Sequence, residues 1–357
     1  MRNFAVAAMI VAMLPHQGAL AQGIANRTIG YVLTNKYWAV YQTPDGKAEC
    51  PQGLNDGPRE QFKALFPNDG KTRTLAETQL ARESDVWFPA DQEPSTAKGP
   101  LPYKFATGKT AIGLNLDGKI GPNDFTSPDG EPGIDNQLFR VLGCVPGFRG
   151  PEGADYFFEN DYGQRYIFNR VLIELTNVDS LENDDDVTVT IYRGLDSLLT
   201  SANGKDFIPG GTQRTDERWG KRYIRRLKGK IVNGVLTTEP TDIKLPWTMT
   251  FDTNPDQSFK AARFRLKLTA TSAEGVLGAY VPVADWGHRF QINWSTHHAS
   301  YGQMSTPSII RAMREMADAY PDPQTGKNTA ISAAATMKFV QAYIVHPAQP
   351  GPVADAQ

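Results

Sequence analysis

The chain has little on which familiar catalytic chemistry could rest. It has two cysteines, Cys50 and Cys144, and five histidines in 357 residues. No CxxC or CxxCH occurs, which excludes thioredoxin-like redox chemistry and c-type haem attachment by motif. There is no GxSxG nucleophile elbow and no HExxH zinc motif. Gly108-Lys109-Thr110 matches the end of a phosphate loop, but Tyr103 stands where the loop's first glycine belongs. No apolar run beyond the N-terminus approaches the ~20 residues that a helical membrane span needs. Charge of one sign is also missing. With 37 basic and 39 acidic side chains, the balance gives no global argument for nucleic acid or an anionic membrane.

The N-terminus is distinctive. Arg2 precedes an apolar run from Phe4 to Leu14, Pro15 interrupts it, and Ala19-Leu20-Ala21 supplies the small residues of a cleavage site. These are the parts of a secretory leader. Cleavage is expected after Ala21, leaving a secreted or periplasmic chain that starts at Gln22. In an oxidising compartment Cys50 and Cys144 are expected to pair, with two free thiols as the alternative. The loop so closed spans 94 positions, for which chain entropy gives about 4–5 kcal/mol.

Residues 28–42 are β-branched and aromatic and run into Pro44-Asp45-Gly46, which reads as a strand or hairpin ending in a turn. Residues 57–66 read as a short helix and 89–103 as a loop. Further on, Val171, Ile173 and Leu175, then Val187, Val189 and Ile191, then Phe264, Leu266 and Leu268 alternate with mainly polar residues. Phe290, Ile292 and Trp294 do the same. Period-two alternation means one packed and one wet face, as in antiparallel sheets. Asn203-Gly204, Asn233-Gly234 and Asn254-Pro255 supply turns. The pattern predicts a mainly β fold, an antiparallel sandwich or jelly roll with a few short helices. One helix is expected from Thr306 to Tyr320, with Ile309, Ile310, Met313, Met316 and Ala317 on its apolar stripe. Residues 329–345 are ambiguous: their Ala-rich first half favours helix, their second half a final strand. Residues 22–346 are expected to form one large domain, with a possible subdivision near 150–165, followed by a disordered tail from 347.

The most specific motif lies at 115–124. Asn115-Leu116-Asp117-Gly118-Lys119-Ile120-Gly121 and Asp124 resemble the calcium loop of EF-hands and, more closely, the shortened loop of dockerins. The resemblance covers about a dozen residues. It puts Asn115, Asp117 and Asp124 on oxygen-ligand positions, Gly118 at the sharp turn and Ile120 at the apolar anchor. Gly113 occupies the first ligand position and has no side chain to offer. A second acidic stretch, with Asp129 and Asp135, is placed to supply the missing oxygens. The calcium reading therefore takes Asn115, Asp117, Asp124, Asp129 and Asp135 as ligands of one Ca2+. The alternative is a solvated loop of Asx turns, since Asp-Gly is also turn chemistry.

Weaker signals remain. Asp184, Asp185 and Asp186 read as a solvated turn, with a second calcium site as the less favoured option. His288, His297, His298 and His346 read as ordinary hydrogen-bonded histidines before metal or acid/base groups. The basic run from Arg214 to Lys230, with Trp219 and Tyr223, suits an acidic polymer or, more simply, an edge strand protected by charge. Paired carboxylates of a glycoside hydrolase need no fixed spacing, so their presence is left open. The composite expectation is a secreted, calcium-stabilised binding protein for an extracellular or surface glycan or protein. The competing expectation is a secreted glycan hydrolase using Asp/Glu acid–base catalysis.

Overall fold

A computed structural model of the chain describes residues 27–47, 49–55, 103–150, 153, 160–161, 163–167, 169–247, 256–286 and 306–347. The leader, the 57–66 helix, most of the 89–103 loop, the 290–294 strand with His288, His297 and His298, and the tail from 348 lie outside the described residues.

Eight strands carry the architecture: β1 (Arg27–Trp38), β4 (Val171–Val178), β5 (Asn183–Arg193), β7 (Arg225–Val232), β8 (Val235–Thr238), β10 (Asp256–Leu268), β11 (Ser272–Pro282) and β13 (Asn328–Val345). They pair in the order β1-β4-β5-β7-β8-β10-β11-β13, each pairing antiparallel, and β13 pairs back onto β1. The sheet therefore closes into an eight-stranded antiparallel barrel. The expected mainly β, antiparallel architecture is present, with the sheet closed into a barrel where a sandwich or jelly roll was expected. Alternation reports two faces, one packed and one wet, and a closed sheet satisfies that pattern as well as two facing sheets do.

Register fixes which face is which. Phe264 opposes Leu277, Leu266 opposes Gly275 and Leu268 opposes Ala273, all facing inward. Ile173 opposes Ile191 and Leu175 opposes Val189. These side chains are buried, as are Tyr31, Met337 and Phe339, so the described interior is filled with side chains. A bulge at Leu33/Asn35 resets the register of β1, and Lys36 and Trp38 end up buried. There Trp38 stacks on Trp247 at 4.7 Å and packs on Trp286 at 5.1 Å, and the Lys36 ammonium lies 3.7 Å from the Trp247 ring centre. Three of the six tryptophans are thus core.

The short elements decorate this wall. Asn233 and Gly234 both take positive φ, 51° and 76°, as the tight hairpin between β7 and β8 requires. The short strands β6 (Gly211–Arg214), β9 (Thr241–Pro246) and β12 (Ala319–Pro321) extend β13, β10 and β13 respectively. Val32, Leu172, Val340 and Ala342 form a second, outer cluster together with Leu198. The ambiguous 329–345 segment is all strand. Ala330, Ala333, Ala334 and Ala335 are each buried, because β13 is covered on both faces, and there packing overrides alanine's helix propensity. The marked helix is α2 (Thr306–Glu315). It stops short of Tyr320, which belongs to β12 at φ 56°.

Residues 103–150 cross the outside of the barrel. They contain the small hairpin β2 (Phe125–Thr126) and β3 (Pro132–Ile134), the helix α1 (Gln137–Leu142) and a 3-10 turn at Pro146–Phe148. Gly278 on β11 permits the close approach, since a Cβ there would sit 3.0 Å from the Leu114 side chain. Cys50 and Cys144 form the expected disulfide, with Cα atoms 5.8 Å apart, tying this layer to the stretch after β1.

Candidate functional site

Residues 114–135 form the acidic loop, and its local chemistry is that of nested Asx turns. Asn115 Oδ1 accepts the Gly118 amide at 2.7 Å, while its Nδ2 donates to the Lys119 carbonyl at 2.8 Å. Asp117 Oδ1 accepts the Lys119 amide at 2.8 Å, and Asp124 accepts the Gly121 amide. Gly118 makes the sharp turn at φ 77°. Ile120 departs from the EF-hand pattern: it is 71% exposed and anchors nothing in the core.

Two arginines hold the loop to the barrel. Arg263, Arg265 and Lys267 project from the outer face of β10, as the alternation requires. The Arg263 guanidinium donates to the carbonyls of Asn115 at 2.9 Å and Leu116 at 2.7 Å. Arg265 grips Glu131 with both ends of its guanidinium, one contact at 3.0 Å. Period-two patterning marked these positions as wet; nothing in it signalled that the loop would cover them.

The structure sorts the sequence candidates into two groups. Asp135 lies within electrostatic reach of Asp117 and Asp124. Asp135 is 7% exposed, and its Oδ2 accepts the amides of Leu116 at 2.6 Å and Asp117 at 3.4 Å. Burial pushes its pKa up to about 6; the Leu116 amide opposes this, and the charges of Asp124 and Asp117 add to it. Asp129 sits apart, taking the Ser127 hydroxyl, and that hydrogen bond holds its carboxyl below the usual range. The Asn115 amide is used within its own turn.

Sequence reasoning missed two members of the acidic group, because they arrive from distant strands. Asp318 precedes β12 and accepts the Ser332 amide at 2.7 Å. Although part of the residue faces solvent, the packing around its carboxyl raises its pKa, with Asp124's charge adding to the rise. The Tyr280 hydroxyl on β11 is also pushed up, by burial first and then by the charges of Asp135, Asp318 and Asp117. Its ring meets Tyr320 edge-on at 5.7 Å, and Tyr320 is 44% exposed. The result is an acidic patch with a tyrosine pair on its flank. Among the described residues, no three histidines, cysteines or carboxylates are arranged to hold a metal ion.

The weaker candidates resolve as follows. Asp184 accepts the amides of Asp179 at 2.7 Å and Asp186 at 3.2 Å, turn chemistry at the start of β5. His346 Nε2 meets both oxygens of Glu174 at 3.0 and 3.1 Å, and the Tyr192 hydroxyl donates to the same carboxylate at 3.3 Å. The basic run does not form one surface. Arg214 pairs with Asp196, Arg218 with Asp216 and Arg222 with Asp256. Its strand, β7, lies between β5 and β8, so edge protection does not explain its charge. Among the described residues no helix is long and apolar enough to cross a membrane. Comparison of the chain with protein-family models, curated proteins and solved structures finds no match in any of the three.

Proposed function

We propose that the protein is an exported, non-catalytic barrel that binds an extracellular or surface glycan or protein at the acidic patch, with calcium as its cofactor. The observation that supports this is the buried Asp135, which accepts the Leu116 amide and whose carboxyl pKa is raised first by burial and then by the charges of Asp124 and Asp117. Beside it Tyr280, edge-on to the exposed Tyr320, feels the charges of Asp135 and Asp318. A buried carboxyl whose pKa is raised first by burial and then by neighbouring negative charge favours a bound cation, and calcium accepts six to eight oxygens in irregular geometry. In this reading the ion draws Asp117, Asp124 and Asp135 together, with Asn115 and Asp129 as the outer oxygens of the loop. The tyrosine rings offer a flat face to a sugar.

Thermal melts of the mature protein, whose mass should correspond to a start at Gln22, test this with chelator and with millimolar calcium. If calcium binds only the native state, a tenfold excess over Kd stabilises by about 1.4 kcal/mol and a hundredfold excess by about 2.7. Asp117→Ala should lose most of that gain. Equal melting temperatures in both conditions, with no metal in the purified protein, would reject the calcium reading. A glycan array read with and without calcium tests the ligand.

A second reading, a secreted glycan hydrolase, draws on the raised pKa of Asp135 beside other carboxylates, the condition a general acid needs. Polysaccharide hydrolysis that vanishes in Asp135→Asn, with folding intact, would favour it over the binding protein.

A further inference from the structure

A hollow bordered by the acidic loop lies against the barrel wall, with a volume of ≈ 280 Å³. Its floor is the outer wall of the barrel at Val235, Gly275 and Val276, and Ile112 and Leu114 form an apolar side. Its rim is charged, and the charges differ in their commitments. Glu131 is held by Arg265, and Asp129 by Ser127. Lys267 and Glu274 are direct cross-strand partners on β10 and β11, both exposed and both lining the hollow. Neither side chain makes a hydrogen bond or ion pair among the described residues.

A free ammonium and a free carboxylate therefore stand side by side over an apolar floor. Opposite charges facing each other across strands ordinarily attract; here each keeps its capacity for a ligand. We propose that this hollow binds a small zwitterion with a short apolar body, of the class of free aliphatic α-amino acids. The ligand's carboxylate meets Lys267, its ammonium meets Glu274, and its side chain covers Val235, Val276 and Leu114. The rim's committed pair, Arg265 with Glu131, gives the pocket its wall and leaves the two free charges to choose the ligand. A ligand with only one charge leaves either Lys267 or Glu274 unmatched beside it, which makes the site selective for both groups together. Asp117, Asp124 and Asp135 do not line the hollow. Asp129, an outer oxygen in the calcium reading, does, but Ser127 holds it and the two ligand-binding charges are Lys267 and Glu274.

Isothermal titration of the full chain with leucine, 4-methylpentanoate and isopentylamine tests this. The last two are leucine without its ammonium and without its carboxylate. Leucine should bind saturably, and each half-ligand at least about tenfold more weakly, the usual consequence of losing one charged hydrogen bond. Lys267→Met should abolish the preference for leucine over isopentylamine and leave its preference over 4-methylpentanoate. Glu274→Gln should do the reverse. Both side chains are exposed, so the variants should melt with the parent. Titrations repeated with chelator should give the same affinities. Absence of saturable leucine binding, equal affinity for the three compounds, or variants that bind as the parent does would each overturn the proposal.

Discussion

Replacing Arg263 by methionine should release the acidic loop from the barrel while leaving the barrel folded. Methionine keeps the apolar stem and removes both donors. The guanidinium makes two charged hydrogen bonds, at 2.9 and 2.7 Å, to carbonyls of residues 115 and 116. Bonds to a charged group contribute about 1.5–3 kcal/mol each. The two share one charge on a half-buried side chain, so about 2 kcal/mol is a reasonable figure for the clamp. At about 1.4 kcal/mol per decade, that is roughly a thirtyfold rise in the open population of the loop. Hydrogen exchange resolves it by region. The amides of Leu116 and Asp135, bonded to Asp135 Oδ2 and the Leu114 carbonyl, should exchange faster by about that factor. Amides in β4, β5 and β11 should not change. Arg263→Lys should recover only part of the protection, because an ammonium lacks the fork that reaches two carbonyls at once. Unchanged exchange in the loop would refute the clamp. A uniform increase over the whole barrel would show instead that Arg263 supports global stability.

Two further perturbations test other parts of the structure. Reducing Cys50–Cys144 should lower the melting temperature, with about 4–5 kcal/mol as the upper limit from chain entropy; two thiols alkylated in the folded, unreduced protein would contradict the bond. Asp216 is buried between Arg218 and Arg193, and the Arg218 hydrogen bond, with both arginines' charges, holds its carboxyl below the ordinary value. A lowered native pKa stabilises the fold above the ordinary carboxylate range; the contribution starts to fall below about 4 and is lost as pH drops through the lowered native value. Asp216→Asn should cost about 3 kcal/mol at pH 7, by weakening the counter-charge of the buried Arg193. The deficit should shrink progressively as pH falls below the ordinary carboxylate range, and denaturant titrations that give equal stabilities at pH 7 would count against it.

What could be read from sequence divides along a physical line. Val171, Ile173 and Leu175, or Phe264, Leu266 and Leu268, declare a strand because a two-residue period is local. Asn233-Gly234 declares a hairpin because both residues accept positive φ. The disulfide followed from the leader-like N-terminus and the cysteine count. Closure was hidden, because β1 and β13 meet across some 300 positions, as in the Thr34 hydroxyl to Lys338 carbonyl bond. Alternation is the same for an open sheet and a closed one. The Ala-rich half of β13 misled because alanine's preference for helix yields when both faces of a strand are covered. The acidic loop was visible as a string of carboxylates. Asp318 and Tyr280 come from elsewhere in the chain, and nothing in their own neighbourhoods marks them as partners of Asp135.

The β1–β13 pairing also sets a condition on how the protein can be made. The first described strand waits for the last, and the eighteen residues of Asn328–Val345 act as the final stave between β11 and β1. Until that stave arrives, both neighbours keep a long unpaired edge, the template on which strands of other chains can add. Contacts this distant in sequence also form late and slowly. A chain cut short before β13 would therefore lose more than its share of the barrel. It would carry two long adhesive edges that the closed barrel pairs, and self-association rather than a smaller soluble fold is its expected fate.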